Sequence, residues 1–239
     1  MARGWQANFA IGAEDRFPDF AAWAAARDGE FGLGATPDAV RGTYLRLTAE
    51  LDQHPRPDLA GNTLRALMFN TLYADASFPQ LAVFLRAANT GTPAPPVPAP
   101  PPGFDNMVAV QTAVACNDVV WPGAGHDYAG DVARDRAAFP LTAGMPANIR
   151  PCAFWPYRPT EPPTRITPHG NVLMVQNRRD PATPLSGALR MRRALGARMV
   201  VVDAGGHGAY LVGGNACGDQ AVTAYLAGGV RPGKPVVTC

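Results

Sequence analysis

The chain has 239 residues, 47% of them hydrophobic, which is enough to form the core of one large domain or two small ones. Its 21 basic and 19 acidic residues give a formal net charge of +2 without long runs of either sign, so the composition gives no reason to expect nucleic acid or an anionic membrane as a partner. No apolar segment approaches the roughly 20 residues of a membrane-spanning helix, so no membrane span is expected.

The first half of the chain shows helical patterns and no strand pattern. Aromatic and apolar residues at spacings of three and four predict a helix over 5–27, which Pro18 could interrupt. Thr36 and Pro37 are typical of an N-cap and a first helical position. The aromatic stripe of the first helix consists of Trp5, Phe9, Ala13, Phe17, Phe20 and Trp23. Further helical patterns lie at 63–73, 78–88, 105–115 and 131–138.

A proline-rich segment divides these helices. Seven of the ten residues from 93 to 102 are proline, which excludes helix and sheet and favours an extended conformation. A stiff connector is the favoured interpretation, and a ligand for a proline-binding partner domain is the alternative.

Two short apolar runs in the last third, 171–176 and 198–203, are suited to buried parallel strands. A helical pattern follows each run, at 184–195 and at 220–227. Alternation of strands and helices at this spacing predicts an α/β fold with a parallel sheet.

The four cysteines, Cys116, Cys152, Cys217 and Cys239, show no Cys-x-x-Cys spacing, and no histidine is placed to complete a zinc site. We therefore expect no metal and no cofactor. Two disulfides are the favoured interpretation, because a free thiol at an exposed chain end is unusual, and four buried thiols in a cytosolic protein are the alternative. Three pairings are possible, of which we favour Cys116 with Cys152 and Cys217 with Cys239.

Asp180 and His207 follow the two predicted strands. Asp180 precedes a proline and should be extended, and Thr183 is expected to cap a helix that Pro184 begins. His207 lies in a glycine-rich turn. Because the carboxyl ends of parallel strands meet at one end of a sheet, the two side chains should meet there, and the carboxylate would orient an imidazole that takes a proton from serine. The alternative is a surface aspartate and an unrelated loop histidine.

The serine that such a pair serves is absent from the sequence. Only Ser77 and Ser186 are present, and neither has the glycines of Gly-x-Ser-x-Gly. Ser77 is expected to cap a helix, and no cysteine follows an apolar strand into a helix. The other histidines, His54, His126 and His169, are predicted to be surface or packing residues.

At these residues the chain resembles the secreted actinobacterial tripeptidyl aminopeptidases, which are serine exopeptidases related to prolyl aminopeptidases. The resemblance rests on Gly4-Trp5, Ala115-Cys116-Asn117-Asp118, Pro151-Cys152-Ala153-Phe154-Trp155-Pro156, Asp180-Pro181-Ala182-Thr183-Pro184, Gly206-His207-Gly208, Cys217 and Thr238-Cys239. It implies a partial α/β-hydrolase fold, with 1–165 as a helical lid and 166–239 as the core segment that carries the triad acid and histidine. It also implies Asp118 as a candidate ligand for the substrate's free amine.

The resemblance implies an exopeptidase that cleaves peptide bonds near a free N-terminus. Serine and oxyanion hole are then expected from a missing N-terminal half, without which the chain should be inactive. The residues after Met1 lack the features of a signal peptide, although the full-length protein is expected to be secreted. A non-catalytic remnant that binds peptide is one alternative, and a hydrolase of small esters or amides is another.

Overall fold

In the computed structural model, which describes residues 2–97, 99–162, 164–168, 170–213 and 215–239, helices dominate the chain up to residue 138 and a parallel sheet begins at residue 173. The helices before the sheet are α1 (Ala2–Ala25), α2 (Asp28–Phe31), α3 (Pro37–Gln53), α4 (Gly61–Thr71), α5 (Phe78–Thr90), α6 (Phe104–Asp118) and α7 (Tyr128–Ala138). The sheet region comprises β1 (Leu173–Arg179), α8 (Leu185–Leu195), β2 (Arg198–Gly205), α9 (Ala216–Gly228) and β3 (Val236–Thr238). Short 3-10 turns lie at Asp75–Ser77, Met145–Ala147 and Pro151–Phe154.

The main hydrophobic core forms around the aromatic stripe of α1. Phe17 and Phe20 are fully buried, and Phe17 lies 5.1 Å from the ring of Tyr44 in α3. The predicted break at Pro18 is wrong, because α1 continues through this residue. A proline inside a helix costs about 3 kcal/mol, and burial of the two flanking phenylalanines, at about 1.5–3 kcal/mol each, offsets that cost. The side chain of Trp5 lies outside the described residues.

Helix starts were predicted with mixed success. Thr36 caps α3 as expected, since its side chain accepts a hydrogen bond from the amide of Ala39 at 3.2 Å. Ser77 precedes α5 but makes no capping hydrogen bond, so its predicted role is wrong. The residue is itself in a helical conformation, which places its hydroxyl out of position for capping. The described residues of 93–102 form no helix or strand.

The sheet has three parallel strands in the order β1-β2-β3, which confirms the α/β fold class and adds a strand to the two predicted. In register, Val175 lies opposite Val200, which lies opposite Val237. The central strand is buried over four successive residues, whereas none of the first three residues of β1 is fully buried. β1 is therefore an edge strand with apolar side chains that the chain covers only in part.

Two disulfides join the favoured cysteine pairs. Cys116 of α6 is bonded to Cys152, and Cys217 of α9 is bonded to Cys239. The second, which we call the C-terminal disulfide, holds the residue that follows β3 against the helix that precedes it. The preferred pairing is therefore confirmed.

The helical region contacts the sheet region through α1. Gly12 of α1 lies so close to the carbonyl group of Pro181 that a Cβ atom at this position would overlap it. Since Pro181 follows Asp180, α1 packs directly on the turn that carries the predicted triad acid.

Candidate active site

The structure brings Asp180 and His207 together at the carboxyl end of the sheet. His207 Nδ1 lies 3.0 Å and 3.1 Å from the two carboxylate oxygens of Asp180. An ionised carboxylate can only accept, so Nδ1 carries the proton and donates a hydrogen bond to Asp180. Nε2 is then the unprotonated nitrogen of a neutral imidazole, which is the nitrogen that a general base requires.

Three further donors hold the Asp180 carboxylate in the turn after β1. Oδ1 accepts from the amides of Ala182 and Thr183 at 2.8 Å and 2.9 Å, and Oδ2 accepts from the Thr183 hydroxyl at 2.9 Å. Thr183 therefore supports the aspartate and does not cap α8, contrary to the sequence-based prediction. Asp180 is buried, while the side chain of His207 is 44% exposed. The acid is thus enclosed and the base is accessible.

Two buried amide side chains in the middle of β1 support the two halves of this pair. Gln176 Nε2 donates to the carbonyl of Thr183 at 2.8 Å and so braces the Asp180 turn. Asn177 Nδ2 donates to the carbonyls of Gly206 and Gly208 at 2.9 Å and 3.1 Å, on either side of His207. Successive strand residues face opposite sides of a sheet, which lets one strand support both turns. Neither amide was predicted from the sequence, although a polar pair directly after the apolar residues 172–175 was an available signal.

The His207 turn also depends on glycine and on Tyr73. Gly206 has a φ of +89°, and a Cβ atom there would lie 2.7 Å from the carbonyl oxygen of Tyr73. The amide of His207 donates to that same oxygen at 2.9 Å. The ring of Tyr73 meets the imidazole edge to face at 5.2 Å, and burial together with the charge of Asp180 raises the pKa of Tyr73. The helical region therefore forms one wall of the site.

A cavity of about 610 Å³ opens beside His207, between the helical region and the carboxyl end of the sheet. Its charged lining residues form a chain of ion pairs in the order Asp75, Arg16, Asp19, Arg179 and Asp203. Both Arg179 bonds, to Asp19 and to Asp203, measure 2.8 Å. Three carboxylates and two guanidiniums give this lining an excess of one negative charge.

The charge chain connects elements that lie far apart in the sequence. Arg16 is buried, and a buried guanidinium is tolerated only when it is paired. The Asp19 carboxylate, followed by that of Asp203, raises the pKa of Arg179 through hydrogen bonds, and the Arg179 bond lowers the pKa of Asp203. These bonds tie α1 to the ends of β1 and β2.

Other predicted residues lie away from the Asp180–His207 pair. Neither Ser77 nor Ser186 is among the described residues that line the cavity. Asp118 is exposed on the last turn of α6, outside that lining, so its role in substrate binding stays a prediction.

The remaining histidines were predicted to be surface or packing residues. His54 is exposed at the end of α3. His126 Nε2 lies 2.7 Å from the buried carboxylate of Asp131. His169 lies outside the described residues.

Neither a metal-binding cluster nor a membrane-spanning helix is present in the described part of the chain. No group of three or more histidine, cysteine, aspartate or glutamate side chains there could hold a metal ion. Within the same residues, no helix is long and apolar enough to span a membrane.

Comparison with known proteins gives consistent matches. Residues 139–239 match the family model described as "TAP-like protein". The chain is 32% identical to the tripeptidyl aminopeptidase of Streptomyces lividans over 98% of its own length and 47% of that protein's. It is 35% identical to the serine protease Hip1 of Mycobacterium tuberculosis over 36% of this chain and 17% of the relative. It is also 32% identical to carboxylesterase B of the same species, over 54% of this chain and 26% of the relative.

The chain spans about half the length of the tripeptidyl aminopeptidases that it matches. The parallel sheet, the acid and histidine after successive strands, and the family match agree with one another. Residues 139–239 belong to the TAP-like family of α/β-hydrolases, and the chain as a whole is similar to tripeptidyl aminopeptidases.

Proposed function

We propose that this chain is the C-terminal, acid-and-base part of a serine exopeptidase that cleaves peptide bonds near a free N-terminus. The observation that carries the proposal is the Asp180–His207 pair, bonded through Nδ1 at the wall of a cavity. In the proposed reaction, His207 Nε2 takes the proton of a serine as that serine attacks the peptide carbonyl. Asp180 stabilises the resulting imidazolium, which then protonates the leaving amine.

The serine and the oxyanion donors are proposed to come from protein outside this sequence. The chain contains no Gly-x-Ser-x-Gly motif, and all four of its cysteines are paired in disulfides. The tripeptidyl aminopeptidases to which it is similar are about twice as long. An N-terminal half of that size has room to supply both the serine and the oxyanion donors.

The sheet offers a place for further strands. β1 is an edge strand whose apolar residues Leu173, Met174 and Val175 are only half-buried, and α8 has no fully buried residue. An apolar, half-covered edge strand is an open template for pairing. A parallel strand from the N-terminal half, docked on β1, would cover the open edge of the sheet and bring a nucleophile to its carboxyl end.

The charged cavity supports a substrate with a free amine. Asp75 and Asp203 line it with side chains that are 76% and 57% exposed, and both remain accessible despite their arginine partners. We propose that the substrate ammonium binds among these carboxylates. Asp118, the candidate from the sequence, is retained as an alternative ligand. Secretion of the full-length protein is part of the same proposal, and the two disulfides support it.

A hydrolase of simple esters is the second candidate, and the similarity to carboxylesterase B favours it. A non-catalytic peptide-binding remnant is the third. Reading the DNA upstream of the Met1 codon separates the third from the others. An in-frame Gly-x-Ser-x-Gly supports a hydrolase, whereas its absence supports the remnant.

Activity is tested by complementation. The chain is co-expressed with the segment of the Streptomyces lividans tripeptidyl aminopeptidase that it does not match. The complex is then assayed on a tripeptidyl aminomethylcoumarin, on its N-acetylated form and on p-nitrophenyl butyrate. An exopeptidase cleaves the first and spares the second; preference for the butyrate ester would replace the peptidase proposal by the esterase.

Variants assign the roles. Asp180→Asn should lower kcat by about 10⁴-fold, since it removes the acceptor that sets the histidine tautomer. His207→Ala should cost at least as much. His54→Ala is the matched control, because His54 is exposed and lies outside the residues that line the cavity, and it should retain full activity.

A further inference from the structure

The near-neutral charge of the chain conceals a separation of charge between its two parts. Residues 1–165 contain 13 basic and 16 acidic residues, a net charge of −3, whereas residues 166–239 contain eight basic and three acidic residues, a net charge of +5. Five of those eight basic residues come from three short stretches: Arg192, Arg193, Arg198, Arg231 and Lys234. The sheet region therefore has a local positive excess that whole-chain composition does not show.

Four of these residues surround one depression at the amino end of the sheet. A cavity of about 480 Å³ is lined by Arg192, Arg193, Arg198 and Arg231, and no acidic residue is among its described lining residues. Its remaining walls are small residues that precede the three strands or follow α8. The Asp180–His207 pair lies at the other end, about 20 Å away along the seven residues of β1. The two sites are therefore separate.

The arginines of this cavity lack the acidic partners that several other arginines of the chain have. Within the described residues, none of the four forms an ion pair, although Arg16, Arg41, Arg65 and Arg179 each do. Arg192 donates to the carbonyl of Ala197 at 3.4 Å, and its buried Nε–H has no acceptor in the described part of the chain.

The negative ends of the helix dipoles neutralise only part of this positive charge. α8 ends beside the cavity, and α9 ends close to it in sequence, so each places a negative dipole end of about half a charge near the arginines. Two such ends balance about one of the four positive charges that line the cavity, which leaves an excess of about three. A structural role as helix caps is therefore insufficient to explain the cluster.

We propose that this cavity, the arginine pocket, binds a phosphate-bearing anion. Guanidinium groups pair with phosphate oxygens through two parallel hydrogen bonds, and an excess of about three charges suits a multivalent anion better than a single carboxylate. The volume is that of a small-molecule site, large enough for a phosphate or pyrophosphate group with a modest substituent. The ligand is either a free phosphorylated molecule or a phosphate group within a surface polymer.

The test is calorimetric titration of the 239-residue chain with sodium pyrophosphate. Binding should be saturable, and it should weaken between about 50 mM and about 200 mM salt. The variant R193Q/R231Q removes two exposed guanidiniums with no recorded hydrogen bond and should weaken binding by at least about tenfold. The matched control is R190Q/R165Q, which removes the same charge from exposed positions outside the pocket and should bind within about twofold of wild type. Circular dichroism checks that both variants are folded.

Competition identifies the source. If a poly(glycerol phosphate) displaces pyrophosphate, the ligand is a polymer phosphate, and if it does not, the ligand is a free phosphorylated molecule; either result supports the pocket. Absence of saturable pyrophosphate binding would overturn the proposal, as would equal weakening in the control variant. So would a single-stranded oligonucleotide that binds without competing with pyrophosphate, because the charge would then serve an extended nucleic-acid surface.

Discussion

Asn177→Ala tests whether a single buried amide holds the turn that carries His207. Asn177 is 2% exposed, and its Nδ2 donates to the carbonyls of Gly206 and Gly208, which flank His207. Each net hydrogen bond contributes about 1 kcal/mol, and the buried carbonyls left without a donor add a desolvation penalty. We expect a loss of about 2–4 kcal/mol in the free energy of unfolding, which for a chain of this size lowers Tm by about 5–15 °C.

Urea denaturation followed by circular dichroism measures this loss. Asn70→Ala is the matched control, because Asn70 is exposed on α4 and its side chain makes no recorded hydrogen bond; it should stay within about 0.5 kcal/mol of wild type. If Asn177→Ala also stays within that range, the amide does not hold the His207 turn.

Three further predictions concern stability. Gly206→Ala should destabilise the chain by at least about 1–3 kcal/mol, because the positive φ of Gly206 and the nearby carbonyl exclude a Cβ atom. Gly42→Ala, in open space within α3, should instead stabilise it by about 0.5–1 kcal/mol, and equal thermal shifts of the two variants would contradict this. Hydrogen bonds from Arg56 lower the pKa of Asp58 to about 2. Asp58→Asn should therefore destabilise the protein above pH 3.8, and the difference in stability from wild type should disappear as pH falls through about 2. A difference in urea midpoints that does not change with pH would be inconsistent with this prediction. Replacement of both cysteines of the C-terminal disulfide by serine should cost about 3 kcal/mol, and a melting curve unchanged by this replacement would show that the bond contributes nothing.

Periodicity and capping chemistry were enough to place most elements. The helices at 63–73 and 78–88 were found within two residues at each end, as α4 and α5. The strand β3 was missed because it has only three residues, too few for a period to appear. β3 pairs with β2 and is followed by the C-terminal disulfide, and neither contact can be predicted from the three residues of the strand itself.

Of the candidate site, only the pair of Asp180 and His207 was predictable from the sequence. Asp180 and His207 follow recognisable strands, so their meeting follows from the topology of a parallel sheet. The ion pair between Asp19 and Arg179 joins residues 160 positions apart, and no local pattern indicates it. Thr183 shows the limit of capping rules, because its hydroxyl donates at 2.9 Å to the carboxylate of Asp180, three residues earlier, and not to the start of α8.

The protonation of His207 tests the central claim in the chain as it is. Long-range ¹H–¹⁵N correlation spectra of ¹⁵N-histidine-labelled protein distinguish the two neutral tautomers of His207, with His207→Ala to assign the signal. The account predicts a proton on Nδ1 and a bare Nε2 in wild type, and loss of this preference in Asp180→Asn. A wild-type His207 protonated on Nε2, or one unaffected by Asp180→Asn, would contradict the assignment of these residues as acid and base.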